Sequence, residues 1–378
     1  MDVDMLEQQL RGVSIRDSKE GTPGPLSSDV HEKVLKKSFG NYIVRFYQSG
    51  DEQGINQLFN LVFNQSRSLE NWFWKFGRAD GEGRLITVAE VEGTIVGTYA
   101  ALSCAFTIGG RSVAAFQIAD NCVHPDYRSF LIQWKMKKLI AEEAARRGYY
   151  FGFGFPNERA YKIGRKLKYT PFGDIPLLRK KLSIKSYLIL TRLGNAAWWL
   201  GHFLSSFRDR EVQVCEVKVF DSRVDQFWSQ VLRYYNAIQR RTAEDLNWRY
   251  VQCPDKGFRL LQAESVGAVK GYAVLKVEGE NKRKIGYIYD FLALHEKATV
   301  SVLLRRVIQL FLKERVEEVR CLMLPHTYFY PFFKQAGFSE GLHGALHMVG
   351  ECYQDTKDLA FSFFDIRHWF VTLGDSDR

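Results

Sequence analysis

No two cysteines in the sequence have the C-x-x-C spacing, and the six at 104, 122, 215, 253, 321 and 352 follow no zinc-like pattern. That argues against a metal centre built on cysteine and against a disulfide scaffold, and leaves a reduced, cytoplasmic chain as the expectation. The N-terminus MDVDMLEQQLRG carries acids where an export signal needs a basic and then an apolar run, so export is not expected. A membrane span is not expected either. In Ser186 to Phe207 the uncharged part, Leu193 to Phe207, ends after 15 residues, short of the roughly 20 that a spanning helix needs. Arg179, Lys180, Lys181, Lys185 and Arg192 precede it. The segment 186–207 therefore suits either a helix packed between domains or one making peripheral contact with a membrane interface. No nucleic-acid-binding motif accompanies the basic residues, so no nucleic-acid partner is expected.

What is present is a chain of 378 residues, 46% hydrophobic and 25% charged. That is long enough for two cores and ordinary enough for a globular fold. Lys and Arg outnumber Asp and Glu by 53 to 43, a net charge of +10, which favours anionic partners such as nucleotide phosphates or an acidic surface.

An internal repeat organises the rest. WKFGRADGEGRLITVAEVEGTIVGTYAAL from Trp74 matches WRYVQCPDKGFRLLQAESVGAVKGYAVL from Trp248, with Trp74/Trp248, Gly83/Gly257 and Gly97/Gly271 each 174 residues apart. Further on, Asp120 in IADNCVH meets Asp290 in IYDFLAL. Pro156/Pro325, Tyr161/Tyr330 and Tyr169/Phe338 are each 169 residues apart. So long a period means a duplicated domain rather than a solenoid. The expected organisation is a polar lead-in over 1–40, a first domain over 41–182, a connecting amphipathic helix over 183–212, a second domain over 213–350 and a terminal segment over 351–378.

Within the first half, β-branched runs joined at Glu92-Gly93 and Gly109-Gly110 predict an antiparallel meander ending at His124. Apolar Phe130, Ile132, Trp134, Leu139 and Ile140, closed by Arg146-Arg147-Gly148, predict a helix of about five turns. YYFGFGF then returns as a strand, and a second helix starts near Glu158. The expected class is α/β (α+β): two domains, each a mixed, mostly antiparallel sheet with flanking helices and a splayed parallel strand pair.

This order, with VHPDYR at 123–128 and FGFPNERAYKIGRKLKY at 153–169, resembles the GNAT (GCN5-related N-acetyltransferase) superfamily. The whole chain is similar to its tandem-domain bacterial members, some associated with surface polysaccharide synthesis and ending in a W…GDSD segment like WFVTLGDSD at 369–377. The resemblance implies acyl transfer from acetyl-CoA or another acyl-CoA, as donor substrate and without a metal, to a small-molecule or saccharide amine between the halves. It also implies donor contacts at Cys122, Val123, Arg128, Ser129, Phe130, Leu131, Ile132, Gln133 and Asn157. Val123 would offer an amide to the carbonyl oxygen, Asp120 or His124 would serve as base, and Tyr161 would stand in as acid because Gly164 occupies the usual tyrosine position. The family pattern R/Q-x-x-G-x-G/A keeps Arg128, but Ser129, Leu131 and Gln133 replace its small residues. The second half, LALHEKATVSVLLRRVIQL at 292–310, keeps none of the pattern and is expected not to bind CoA.

Other readings stand beside these. Asp120 and Tyr161, each repeated in the second half, could brace the fold. Cys122 could be a small core residue, and Trp72, Trp74 and Trp248 core or cleft-lining residues. The basic residues of the two helices could meet the adenosine phosphates of CoA or be a solvated face, and Gly374 to Asp377 could complete an acceptor pocket or be an exposed acidic end. A non-catalytic binding protein and a peptidoglycan-bridge type aminoacyl ligase remain alternatives to the acyltransferase.

Overall fold

Two tight turns set the first strands. Glu92, Gly93, Gly109 and Gly110 all have positive φ, at 49°, 80°, 55° and 78°, the left-handed pairs that two-residue hairpins need. In this computed structural model, which describes residues 42–77, 84–182, 212–280, 283–341 and 344–376, the first elements are β1 (Tyr42–Phe46), α1 (Asp51–Phe63), α2 (Leu69–Phe76), β2 (Leu85–Val91), β3 (Thr94–Ile108), β4 (Arg111–Val123) and α3 (Phe130–Arg146). β1 pairs antiparallel with β2, and β2 with β3. Ser68 Oγ caps α2 and Ser129 Oγ caps α3, each accepting an orphan amide of the first turn. Gly148, at φ 76°, closes α3 as expected. The lead-in 1–40 and the segment 186–207 lie outside the described residues.

The chain divides into two compact units, residues 1–103 with 117–149, and residues 104–116 with 150–378. The first has its own core of Ile55, Trp72, Phe76, Ile86, Val88, Ala100 and Ala119. The second unit takes the outer hairpin of β3 and β4 and continues with β5 (Phe151–Gly154), α4 (Glu158–Lys166), β6 (Thr170–Ile175), β7 (Leu177–Lys181), β8 (Gln213–Val217), α5 (Arg223–Val231), β9 (Ala237–Gln239) and α6 (Ala243–Leu246). Then come β10 (Arg259–Ser265), β11 (Ala268–Glu280), β12 (Arg283–Ala293), α7 (Lys297–Lys313), β13 (Glu318–Leu322), α8 (Tyr330–Gln335), β14 (Ser339–Glu340), β15 (Leu346–Cys352) and β16 (Trp369–Phe370). The repeat is visible element by element: α3 and α7 are both 17 residues long. β12 and β13 run parallel only over Ile285–Tyr287 and Glu318–Arg320. β12 continues to Ala293, so the splayed parallel pair is present in the second half.

The sheets do not divide at the expected boundary near 182. β7 pairs with β13 and β14, in a seven-stranded sheet ordered β14-β7-β13-β12-β11-β10-β8. In return, β15 lies between β5 and β6, antiparallel to both. Each half of the repeat thus gives its last strand to the other's sheet. The local cause is at Pro176: a single residue separates β6 from β7, too few for a hairpin, so the chain runs straight on into the second sheet. The expected second domain 213–350 and terminal segment 351–378 are likewise not separate, because β16 pairs with β9 and Trp369 lies in the second unit's core.

Candidate functional site

The first unit concentrates its buried charge on β4. Asp120 has φ 51°, a strained left-handed value for a residue with a Cβ, which breaks the strand's alternation and sends its carboxylate inward. Arg67 Nη1 and Lys75 Nζ, the latter at 2.8 Å, both donate to it. Burial pushes the carboxyl's pKa up, but the charges of Lys75 and Arg67 outweigh it and hold the group below its usual range. So placed, the Asp120 carboxylate is paired with two cations, the arrangement of a group that braces the fold. Arg67 in turn is fixed by Asn56, whose Oδ1 accepts from Nε at 2.7 Å, and lies 3.7 Å from the Phe59 ring centroid.

His124 follows on the same strand. Its Nδ1 accepts the Asp126 amide at 3.3 Å and its own amide donates to Val96 O at 2.8 Å. With Nδ1 accepting, the neutral ring carries its proton on Nε2, so the outward nitrogen donates. Cys122 is 4% exposed and burial pushes its thiol up, which makes it a core residue. Val123 is buried beside it.

The start of α3 fits a phosphate in part. The dipole of a long helix points there, Arg128 is exposed beside it, and Leu131 and Ile132 turn their side chains into the core rather than over the helix end. Ser129 Oγ, however, already accepts the Leu131 amide at 3.2 Å, Phe130 is exposed, Gln133 is half-buried, and no glycine lets the main chain approach more closely.

In the second unit, Asn157 caps α4, its Oδ1 accepting the Ala160 amide at 2.9 Å; its amide nitrogen is the atom left to meet a ligand. Tyr161, one turn on, lies 4.7 Å between ring centroids from His347. His347 rides on the exchanged strand β15 and donates to Asp174 at 2.6 Å and to Glu158 at 3.0 Å. Those two hydrogen bonds, Glu158's first, raise its pKa above 6.5. The stabilisation is therefore full below the unfolded value and lost as pH rises through the folded one. His347→Gln is expected to lower the melting temperature more at pH 6 than at pH 9; a difference independent of pH would contradict this.

The counterpart of the Asp120 cluster in the second unit is larger. Arg241 Nε donates to Asp290 Oδ2 at 3.1 Å, Tyr272 Oη donates to the same oxygen at 3.0 Å, and Arg241 Nη2 donates to Asp375 Oδ2 at 2.6 Å. Burial, together with the neighbouring Asp375 charge, raises Asp290's pKa despite Arg241. Asp375 is 4% exposed, which corrects the reading of Gly374 to Asp377 as an exposed acidic end; Asp377 itself lies outside the described residues. The sequence carries a signal for this on the N-terminal side of Trp74. At the same 174-residue offset, Gln65, Arg67, Ser68, Glu70, Lys75 and Phe76 meet Gln239, Arg241, Thr242, Glu244, Arg249 and Tyr250. Beyond β12, His295 is sandwiched between Tyr234 and Tyr328, at 3.8 and 4.4 Å. An aromatic stack thus stands where the second half's counterpart of the α3 start lies.

Among the described residues no three His, Cys, Asp or Glu side chains are grouped to hold a metal ion, and no helix is long and apolar enough to cross a membrane. A meander, a long helix and a returning strand recur in both halves, the returning strand parallel to its neighbour in the second. The family model for the acetyltransferase (GNAT) domain matches residues 43–172. Among solved structures, a GCN5-related N-acetyltransferase from Anabaena variabilis ATCC 29413 superposes with a TM-score of 0.62 at 11% identity, over 83% of this chain and 73% of that one. A probable N-acyltransferase from Enterococcus faecalis V583 gives 0.59 at 11%, over 83% and 72%. N-myristoyltransferase of Saccharomyces cerevisiae, solved with bound myristoyl-CoA and inhibitors, gives 0.54 at 12%, over 89% and 86%. No curated protein matches the sequence. The match to the GNAT domain is thus to residues 43–172 of this chain, and the solved structures share its fold at 11–12% identity.

Proposed function

We propose that the protein is an N-acyltransferase that moves an acyl group, acetyl in the simplest case, from acyl-CoA to a primary amine. The observation that carries this reading is the start of α3 in the matched GNAT domain: an open helix end with Arg128 exposed beside it and the side chains of Leu131 and Ile132 turned away. Arg128 and the free first-turn amides hold the donor's phosphates. The Val123 amide polarises the thioester oxygen. The acceptor's ammonium gives one proton to water ordered by His124. Its nitrogen attacks the carbonyl carbon, the C–N bond forms as the C–S bond breaks, and the second proton that the nitrogen sheds ends on the departing thiolate. The products are an amide, free CoA thiol and one released proton. The acceptor's setting in surface polysaccharide metabolism rests on the likeness of the W…GDSD terminus.

A second reading, a non-catalytic GNAT-like binding protein, is favoured by the Ser129 cap and the absent glycines. Calorimetric titration with acetyl-CoA and longer acyl-CoAs separates the two. The enzyme reading expects saturable binding that weakens by about tenfold or more in Arg128→Glu, where a charge-assisted contact becomes repulsive. Absence of binding by the folded protein would sink it.

A further inference from the structure

Both halves of the repeat carry a buried cationic motif, and in the first half one nitrogen of Arg67 has no hydrogen-bond partner. In the second half, Asp375 Oδ2 accepts from Arg241 Nη2 at 2.6 Å and from the Thr372 amide at 2.8 Å. With its amide turned to satisfy both neighbours, Gln239 donates to Asp375 Oδ1 at 3.1 Å and accepts from Arg249 Nη2 at 2.8 Å. Two cations, Arg241 and Arg249, there meet two carboxylates, Asp290 and Asp375. In the first half, Gln65, Arg67 and Lys75 stand at the corresponding positions, and Asp120 stands for Asp290. Among the described residues, no carboxylate is hydrogen-bonded to Arg67 Nη2 as Asp375 is to Arg241 Nη2. The Arg67 side chain is 7% exposed. Nη1 is on Asp120 and Nε on Asn56, while Nη2 is buried without a hydrogen-bond partner. Gln65 is exposed.

A buried guanidinium N–H without an acceptor is costly, and chains keep such groups where a ligand completes them. We propose that Arg67 Nη2, with Gln65, is the receptor for a carboxylate on the acceptor amine, the place that Asp375 of the chain's own terminus fills in the second half. The acceptor is then an amine that also carries a carboxylate, either an amino acid or an amino-uronic acid. The planar fork of the guanidinium matches a carboxylate in shape. This rests on the acyltransferase reading for the word acceptor, but the receptor itself needs no donor.

The test is made on the full chain without acyl-CoA. Acetate, the smallest probe, is titrated while the guanidinium resonances of Arg67 are followed by nitrogen NMR. A saturable shift is expected in the wild type and weakened in Gln65→Ala, a surface change that keeps the melting temperature. Then β-alanine is compared with ethylamine, and 2-amino-2-deoxyglucuronate with glucosamine. The carboxylated member of one pair is expected to bind about tenfold more tightly or better, the value of a charge-assisted hydrogen bond, and which pair responds separates the amino acid from the sugar. Arg67 resonances unmoved by acetate, or equal binding within both pairs, overturn the proposal. Loss of acyl-CoA binding with the acetate response intact would remove the enzyme reading alone.

Discussion

Replacing Asp120 by asparagine is expected to cost the fold about 3–5 kcal/mol at neutral pH, the usual consequence of stranding buried partners of an ion pair. Arg67 and Lys75 side chains are 7% and 10% exposed, so neither cation can simply turn to water. The carboxyl's pKa is held below its unfolded value of 3.8. Its stabilisation is therefore present above that value and lost as pH falls through the lower folded one. Urea melts of the wild type and variant should differ fully at pH 7 and converge in acid. Equal midpoints at pH 7 would show that the cluster does not hold the domain together.

Trp369→Ala should be as damaging, at about 3–5 kcal/mol for a large core side chain. The indole is fully buried and lies 4.9–5.7 Å between ring centroids from Phe106, Phe151, Phe172 and Phe363, and Nε1 donates to Phe363 O at 2.9 Å. Its strand, β16, also carries the chain towards Asp375 and pairs with β9. Trp369→Phe should recover most of the loss by keeping the edge-to-face contacts. If the alanine variant melted within about 1 kcal/mol of the wild type, an ordinary surface substitution's range, the terminus would be an appendage instead of part of the core.

The sequence made much of this fold legible. The turns at Glu92-Gly93 and Gly109-Gly110, the helix from Phe130 and its glycine stop are local, and local chemistry decides them. The duplication was also readable, because Trp74 and Trp248 punctuate equivalent places. What stayed hidden is non-local. No pattern in LLRKK at 177–181 says which sheet it joins; the one-residue link at Pro176 is the only hint, and it becomes telling only when the missing hairpin is noticed. His347 reaches Glu158 by that same exchange, across 189 residues of sequence.

The site was legible in its residue types and less so in their roles. Asp120 stands out in the strand, yet its role depends on Arg67 and Lys75, which lie 53 and 45 residues away. A GDSD ending reads as a solvated acidic tail until Arg241 is seen to receive it. The absence of glycine at 129–133 was plain in the sequence, but the inward packing of Leu131 and Ile132 was not, since it depends on which face of the helix meets the core.

The central claim is acyl transfer to an amine, and one measurement meets it directly: release of CoA thiol from acetyl-CoA, followed together with amide formation by mass spectrometry, over a panel of amines with and without carboxylates. The account predicts one thiol for each amide, with turnover on a carboxylated amine and less on its counterpart lacking the carboxylate. A folded protein that releases no thiol and forms no amide with any amine, while binding acyl-CoA or failing to bind it, would contradict the account.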